Sequence, residues 1–181
     1  MIRIGFTLCL FLCFAAGQAW SQAIPVSKGR VWPAVTGGGS VTVTTSPALV
    51  SFSLVSDGEA AADSGVVVTT TWTGRSRVSA LNLYGYFSAA GAALTGGSPS
   101  VYIPSSAVLG QLSTGPNRIY TPFTQSNPIA GASLLLYCEL FLAGGNGSRT
   151  DTLNMEINLK GLPPLPAGSY TGTLYLQAQM L

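Results

Sequence analysis

The chain has 181 residues, of which 47% are hydrophobic and only 8% charged, against roughly 25% charged in an ordinary soluble domain. The formal net charge is +2, and histidine is absent. These figures exclude a disordered tail, a coiled coil, a nucleic-acid binder built on a basic patch, and every active site that needs an imidazole as base or metal ligand.

The first residues have the layout of a secretory leader. Arg3 supplies the early positive charge, and an apolar run of about thirteen residues follows from Ile4 to Ala16, short of the ~20 a bilayer span requires. Small residues then fall at A-x-A-like spacing, as Gly17 with Ala19 or Ser21 with Ala23. A signal peptide over residues 1–23 is therefore expected, cleaved after Ala19 or Ala23, with the product secreted to the periplasm or cell surface. Cys9 and Cys13 follow Leu8 and Leu12, which is not the context of a lipid-anchored cysteine. No later run reaches membrane length, so no transmembrane span is expected in the mature chain. Loss of Arg3 leaves seven basic residues against six acidic ones, and loss of the leader leaves Cys138 as the one cysteine. Near-neutrality favours self-association, and without an internal disulfide the fold must rest on burial.

Residues 24–39 read as an extended arm ending in the Gly37-Gly38-Gly39 hinge, and 40–181 as a single domain. Period-two alternation dominates that domain, as half-buried strands require. It runs through Val41–Thr44, Val50–Leu54, Val66–Trp72 and Leu81–Tyr84. The row Leu134, Leu136, Cys138, Leu140, Leu142 reads as one face of a strand, which makes Cys138 a buried, inert thiol. Leu153, Met155, Ile157 and Leu159 alternate with Thr152, Asn154, Glu156 and Asn158; Leu174, Leu176, Ala178 and Met180 alternate with Tyr175, Gln177 and Gln179. Between these segments lie turn signals, among them Asp57-Gly58, Gly144–Gly147 and Pro163–Gly168. The stretch 89–128 is irregular, with at most a helical turn or two in Ser105–Leu112. Together these predict an all-β fold: an antiparallel, immunoglobulin-like β-sandwich with Greek-key-like connections.

Little in the chain points to chemistry. There is no G-x-S-x-G elbow and no phosphate loop, so no enzyme activity and no cofactor is expected. Asp57, Glu59 and Asp63 could form a loose calcium site, but Asp and Gly are also the ordinary residues of a turn, and no metal site is assigned. Arg75 and Arg77 read as an exposed turn. Tyr84, Tyr86 and Phe87 form an aromatic patch for which cross-strand packing comes first and sugar stacking second.

The closing stretch Leu165-Pro166-Ala167-Gly168-Ser169-Tyr170 leads into Leu174-Tyr175-Leu176-Gln177-Ala178-Gln179. It resembles the P-A-G-x-Y C-terminal strand of bacterial chaperone–usher pilin subunits, in particular the spore-coat-U-like group. That resemblance implies a cleaved leader, an immunoglobulin-like sandwich lacking one strand, and polymerisation when a neighbour donates its N-terminal strand. Many such subunits carry a disulfide near the mature N-terminus, and this chain has no pair to form it. In a donor arm, Ile24 and Val26 alternate, Lys28-Gly29-Arg30 interrupt, and Val31 and Val35 resume around Pro33. Val41–Thr45 is the alternative donor. The expected function is thus a non-catalytic structural subunit of a fimbria-like surface assembly, whose partners are copies of itself or other subunits and not nucleic acid. A stand-alone secreted binding or adhesion domain is the alternative.

Overall fold

The computed structural model describes residues 20–27, 39–75, 78–114, 118–124 and 133–181. Among the described residues, fourteen strands form two sheets: β1 (Trp20–Ser27), β2 (Ser40–Ser46), β3 (Leu49–Leu54), β4 (Glu59–Ala61), β5 (Val66–Arg75), β6 (Ser79–Tyr86), β7 (Leu94–Gly96), β8 (Val101–Ile103), β9 (Val108–Leu112), β10 (Thr121–Pro122), β11 (Ser133–Phe141), β12 (Gly145–Asn158), β13 (Tyr170–Thr171) and β14 (Leu174–Met180). The first sheet has the order β11-β6-β14-β1-β13-β7-β8, with β3 against β1; the second has the order β10-β9-β12-β5-β2, with β4 against β12. The chain changes sheet between β1 and β2, β2 and β3, β3 and β4, β5 and β6, β8 and β9, β10 and β11, and again on each side of β12. These crossings make the predicted antiparallel β-sandwich.

The alternating rows meet between the sheets. Val50, Phe52, Leu54, Leu81, Leu83, Leu134, Leu174 and Leu176 come from the first sheet; Val41, Val43, Val66, Val68, Trp72, Leu153, Met155 and Ile157 come from the second, and all are buried. Each large apolar side chain contributes roughly 1.5–3 kcal/mol on leaving water. The outer face of the second sheet carries hydroxyls, paired across strands as Ser40 with Thr73 (2.8 Å), Thr69 with Thr150 (3.1 Å) and Thr71 with Ser148 (3.3 Å). The stretch 89–128 carries β7 to β10, and its short 3-10 turn, Ser105–Ala107, leads straight into β9. It sends Leu94, Ile103, Val108, Leu112 and Phe123 into the core, and Phe123 is the largest of them. That ring is fully buried and meets Phe87 edge-on at 5.3 Å. It lies over two glycines of opposite sheets: a Cβ would come within 2.8 Å of the ring at Gly85 and 3.1 Å at Gly110.

β11 departs from the predicted phase. Leu135 pairs with Tyr84 and Tyr137 with Leu83, so Leu136 is an extra residue in a β-bulge. Beyond it the faces exchange. Cys138 is exposed, Leu140 is 74% exposed, and Tyr137 is buried instead. Cys138 is therefore not a core residue. Glu139 turns inward with Tyr137, and β12 explains how a carboxylate is tolerated there. β12 also begins earlier than the Gly144–Gly147 turn signal suggests, so Arg149 and Asp151 continue the apolar Leu153–Ile157 row toward one end of the sandwich. Arg149 binds Asp151 through Nε–Oδ2 (2.7 Å) and Nη2–Oδ1 (3.1 Å), Glu139 through Nη1 (3.2 Å), and the Thr114 hydroxyl through Nη2 (2.6 Å). Thr114 also donates to Asp151. The guanidinium carbon sits 4.4 Å from the centre of the Tyr137 ring. The side chain of Asp151 is 2% exposed and that of Arg149 is 25% exposed.

Removing the cation strands a buried carboxylate. Arg149→Ala should cost roughly 2–3 kcal/mol in urea denaturation, below the ~3–5 of a fully enclosed pair because Arg149 keeps contact with water. Lys160→Ala, which breaks only the exposed pair with Glu59, should leave the urea midpoint unchanged. Burial pushes the Tyr137 phenol up to about 12 from its ordinary 10.0. The folded state thus holds this proton after the unfolded state has released it, so stability is full below pH 10.0 and falls as pH rises toward about 12. Urea midpoints measured across that window should decline for the native chain and decline less for Tyr137→Phe.

Candidate assembly site

The C-terminal motif is held by its own residues. Tyr170 is buried and donates its hydroxyl to the Pro166 carbonyl at 2.7 Å, which closes the Pro-Ala-Gly turn. β13 then pairs with β7 through Tyr170↔Gly96 and Thr171↔Thr95. Gly172 crosses so close to β7 that a Cβ would lie 1.9 Å from the Ala93 carbonyl oxygen, which leaves room for no other residue there. This fixes the edge that β13 and β14 turn toward β1.

β1 fills the space between that edge and β3. Against β3 it is antiparallel over six pairs, from Trp20↔Leu54 to Pro25↔Leu49. Against the C-terminal strands it is parallel, with Ala23↔Thr171, Val26↔Leu174 and Ser27↔Tyr175, all in a single register that runs on from β13 to β14. The rows flanking it are apolar and buried: Val50, Phe52 and Leu54 on one side, Leu174 and Leu176 on the other. Backbone groups beside such rows need partners, and β1 supplies them. Pro25, which has no N–H, falls at the last of the six β3 pairs.

Of the residues expected in a donor arm, Ile24 stands opposite Val50 and Val26 opposite Leu174. Val31 and Val35 lie outside the described residues. The alternative donor, Val41–Thr45, is built into the second sheet as β2, with seven pairs to β5. The turn carboxylates are directed to three separate tasks. Asp57 accepts the Gly161 N–H (3.1 Å), Glu59 binds Lys160 (2.9 Å) and Asn158 (3.0 Å), and Asp63 accepts the Ser51 N–H (3.1 Å). Among the described residues no group of three or more His, Cys, Asp or Glu converges as a metal site. A cavity bounded by Leu54, Leu159, Leu165 and Tyr170 measures about 30 Å³, the scale of one water molecule. The Arg149 cluster was not legible as a site, although Asp151 in phase with the Leu153 row was its signal.

No family model matches the chain, and no curated protein matches it in sequence. Among the described residues no helix is long and apolar enough to cross a membrane.

If β1 closes the first sheet, a chain beginning at Lys28 should lose hydrogen-exchange protection along Leu49–Leu54 and Thr171–Tyr175. Protection along Val66–Thr73, which pairs only within the second sheet, should persist.

Proposed function

We propose that the chain is an exported, non-catalytic structural subunit of a fimbria-like surface assembly that polymerises by β-strand contacts, in the manner of the chaperone–usher and spore-coat-U-like subunits its C-terminus resembles. The observation that carries this reading is the position of β1. It is the first described strand, it lies against the C-terminal strand, and it pairs with β3 and β14 through backbone ladders that the same strand from a neighbouring copy would also form. The absence of histidine and the dispersal of Asp57, Glu59 and Asp63 support a non-catalytic role. Export with leader removal after Ala19 fits the same picture, because cleavage after Ala23 would strip Trp20–Ala23 and with them four of the six β3 pairs. Periplasm or cell surface is then the place of work, with copies of the chain or related subunits as partners.

One observation favours the second reading, a stand-alone secreted binding domain: β1 here occupies the slot of its own chain. The two separate in one experiment. A chain beginning at Lys28, mixed with a peptide of residues 20–27, should gain at least 10 °C in Tm, roughly the effect of a few kcal/mol in a domain of this size; the full mature chain should form oligomers on size exclusion. A full chain that stays monomeric at high concentration and melts cooperatively would support the lone domain. A peptide without effect on the truncated chain would remove the strand-donation reading. Mass spectrometry of the exported protein should find Trp20 at its N-terminus.

A further inference from the structure

Among the described residues, five large apolar side chains are 70% or more exposed: Val78, Ile119, Leu140, Leu142 and Leu181. All but Ile119 fall together at one end of the first sheet. Leu140 pairs with Ala80 across β11 and β6, and Ala80 exchanges both of its backbone hydrogen bonds with Leu181, each at 2.9 Å. Leu140, Ala80 and Leu181 thus form one apolar row across three strands. Val78 and Leu142 come next along their strands, just beyond the Ser79↔Phe141 pair. No side chain in this group carries a charge.

The backbone along this row is open as well. Residue pairs in an antiparallel ladder alternate between those that exchange hydrogen bonds and those that do not. Ala80 directs its N–H and C=O to Leu181, so its pair with Leu140 is of the second kind, and the N–H and C=O of Leu140 point away from β6. Cys138, two residues back and opposite Asn82, is oriented the same way. Among the described residues β11 is the outermost strand of its sheet, so no described strand lies alongside these groups. The Leu136 bulge interrupts the edge upstream and limits the open run to 138–142. That run holds no lysine, arginine or proline to guard it, and its one charge, Glu139, turns inward onto Arg149.

From this we propose that two copies of the chain pair edge to edge through β11, antiparallel about a two-fold axis beside Leu140. Backbone donors and acceptors in this alternating row are matched by another extended strand, and this strand is complementary to itself. In the two-fold register Leu140 lies opposite Leu140 of the second copy, and Cys138 lies opposite its Leu142. Outward donors then meet acceptors, and apolar side chains meet apolar ones. The two rows of Leu181, Ala80 and Leu140 join into one band, with the exposed Leu140 at its middle. A formal net charge of only +2 gives the two copies little reason to repel. The contact uses β11 and not the β1 slot, so it stands whether or not strands are donated there.

The test is residue-resolved amide hydrogen exchange of the full mature chain at rising protein concentration. The outward amides of Cys138 and Leu140 should slow at least about tenfold, while those of Tyr137 and Glu139, which face β6, should not change. Pairing at the β1 slot would leave all four as they are. A second measurement reads covalent capture on a non-reducing denaturing gel, where contacts at the slot leave no trace. Under mild oxidation Cys138→Ser/Leu140→Cys should form a dimer, because directly opposed residues lie within the Cα separation a disulfide spans. Cys138→Ser/Ile119→Cys, with its cysteine at an equally exposed position, should stay monomeric. The unmodified chain should stay monomeric too, because its Cys138 faces Leu142 and not itself. Exchange at Cys138 and Leu140 that remains fast at every concentration would overturn the inference and leave the edge to a different partner. So would a Leu140→Cys variant that links no better than the Ile119→Cys one, or a disulfide through native Cys138, which demands another register.

Discussion

A backbone amide or carbonyl set against a buried apolar row must find a partner, and in this protein that requirement falls on one place. β3 and the β13–β14 edge face each other across a gap one strand wide, with Val50, Phe52 and Leu174 behind it. β1 closes the gap by pairing both ways at once. The C-terminal turn makes this geometry possible, since the Tyr170 hydrogen bond to Pro166 and the close crossing at Gly172 fix the direction in which β14 leaves. The first and last segments of the chain thus depend on one another. A strand that pairs through its backbone on both sides is the kind that another copy can replace, and for this reason the slot carries the functional reading.

The interior is closed by different means in different places. Where the chain between β6 and β11 is irregular, Phe123 enters between two glycines and fills the space their missing side chains leave. Where β12 and β11 run past the apolar core, Arg149, Asp151, Glu139 and Tyr137 form a polar plug. The plug is not a cheap way to close a sandwich, because desolvating charges costs several kcal/mol before any attraction is counted. Its contribution is better described as specificity: a guanidinium with three oxygen-bearing partners fixes where β12 lies over β11 across the sandwich, whereas leucines would admit several positions.

The two outer faces divide the remaining chemistry. Hydroxyls on β2, β5 and β12 pair with one another across strands and make much of that face polar. On β6 the Asn82 amide donates to the Tyr84 hydroxyl, and its Oδ1 is buried without a partner. A chain with so few ionisable groups gains little from long-range steering, and its contacts must instead be made by shape, stacking and hydrogen bonds.

The sequence by itself determined the fold class and most of the faces. Leu153, Met155 and Ile157 point inward, as do Leu174 and Leu176, because side chains alternate strictly within a regular strand. The closing Pro-Ala-Gly-x-Tyr segment was legible as a turn, and the alternation of Ile24 and Val26 as extended chain, which here is strand β1. The limits of such reading have one physical source. Alternation is a local property, and a single extra residue inverts it: Leu136 in the β11 bulge brings Cys138 and Leu140 to the surface and turns Tyr137 and Glu139 inward. What each strand lies against is not local at all. The parallel register of β1 on β14 joins residues at opposite ends of the chain, and Arg149 meets Glu139 and Thr114 only because three segments converge at one end of the sandwich. Those decisions belonged to the tertiary structure, where the cost of unpaired backbone and uncompensated charge selects one arrangement among the many that the alternating pattern allows.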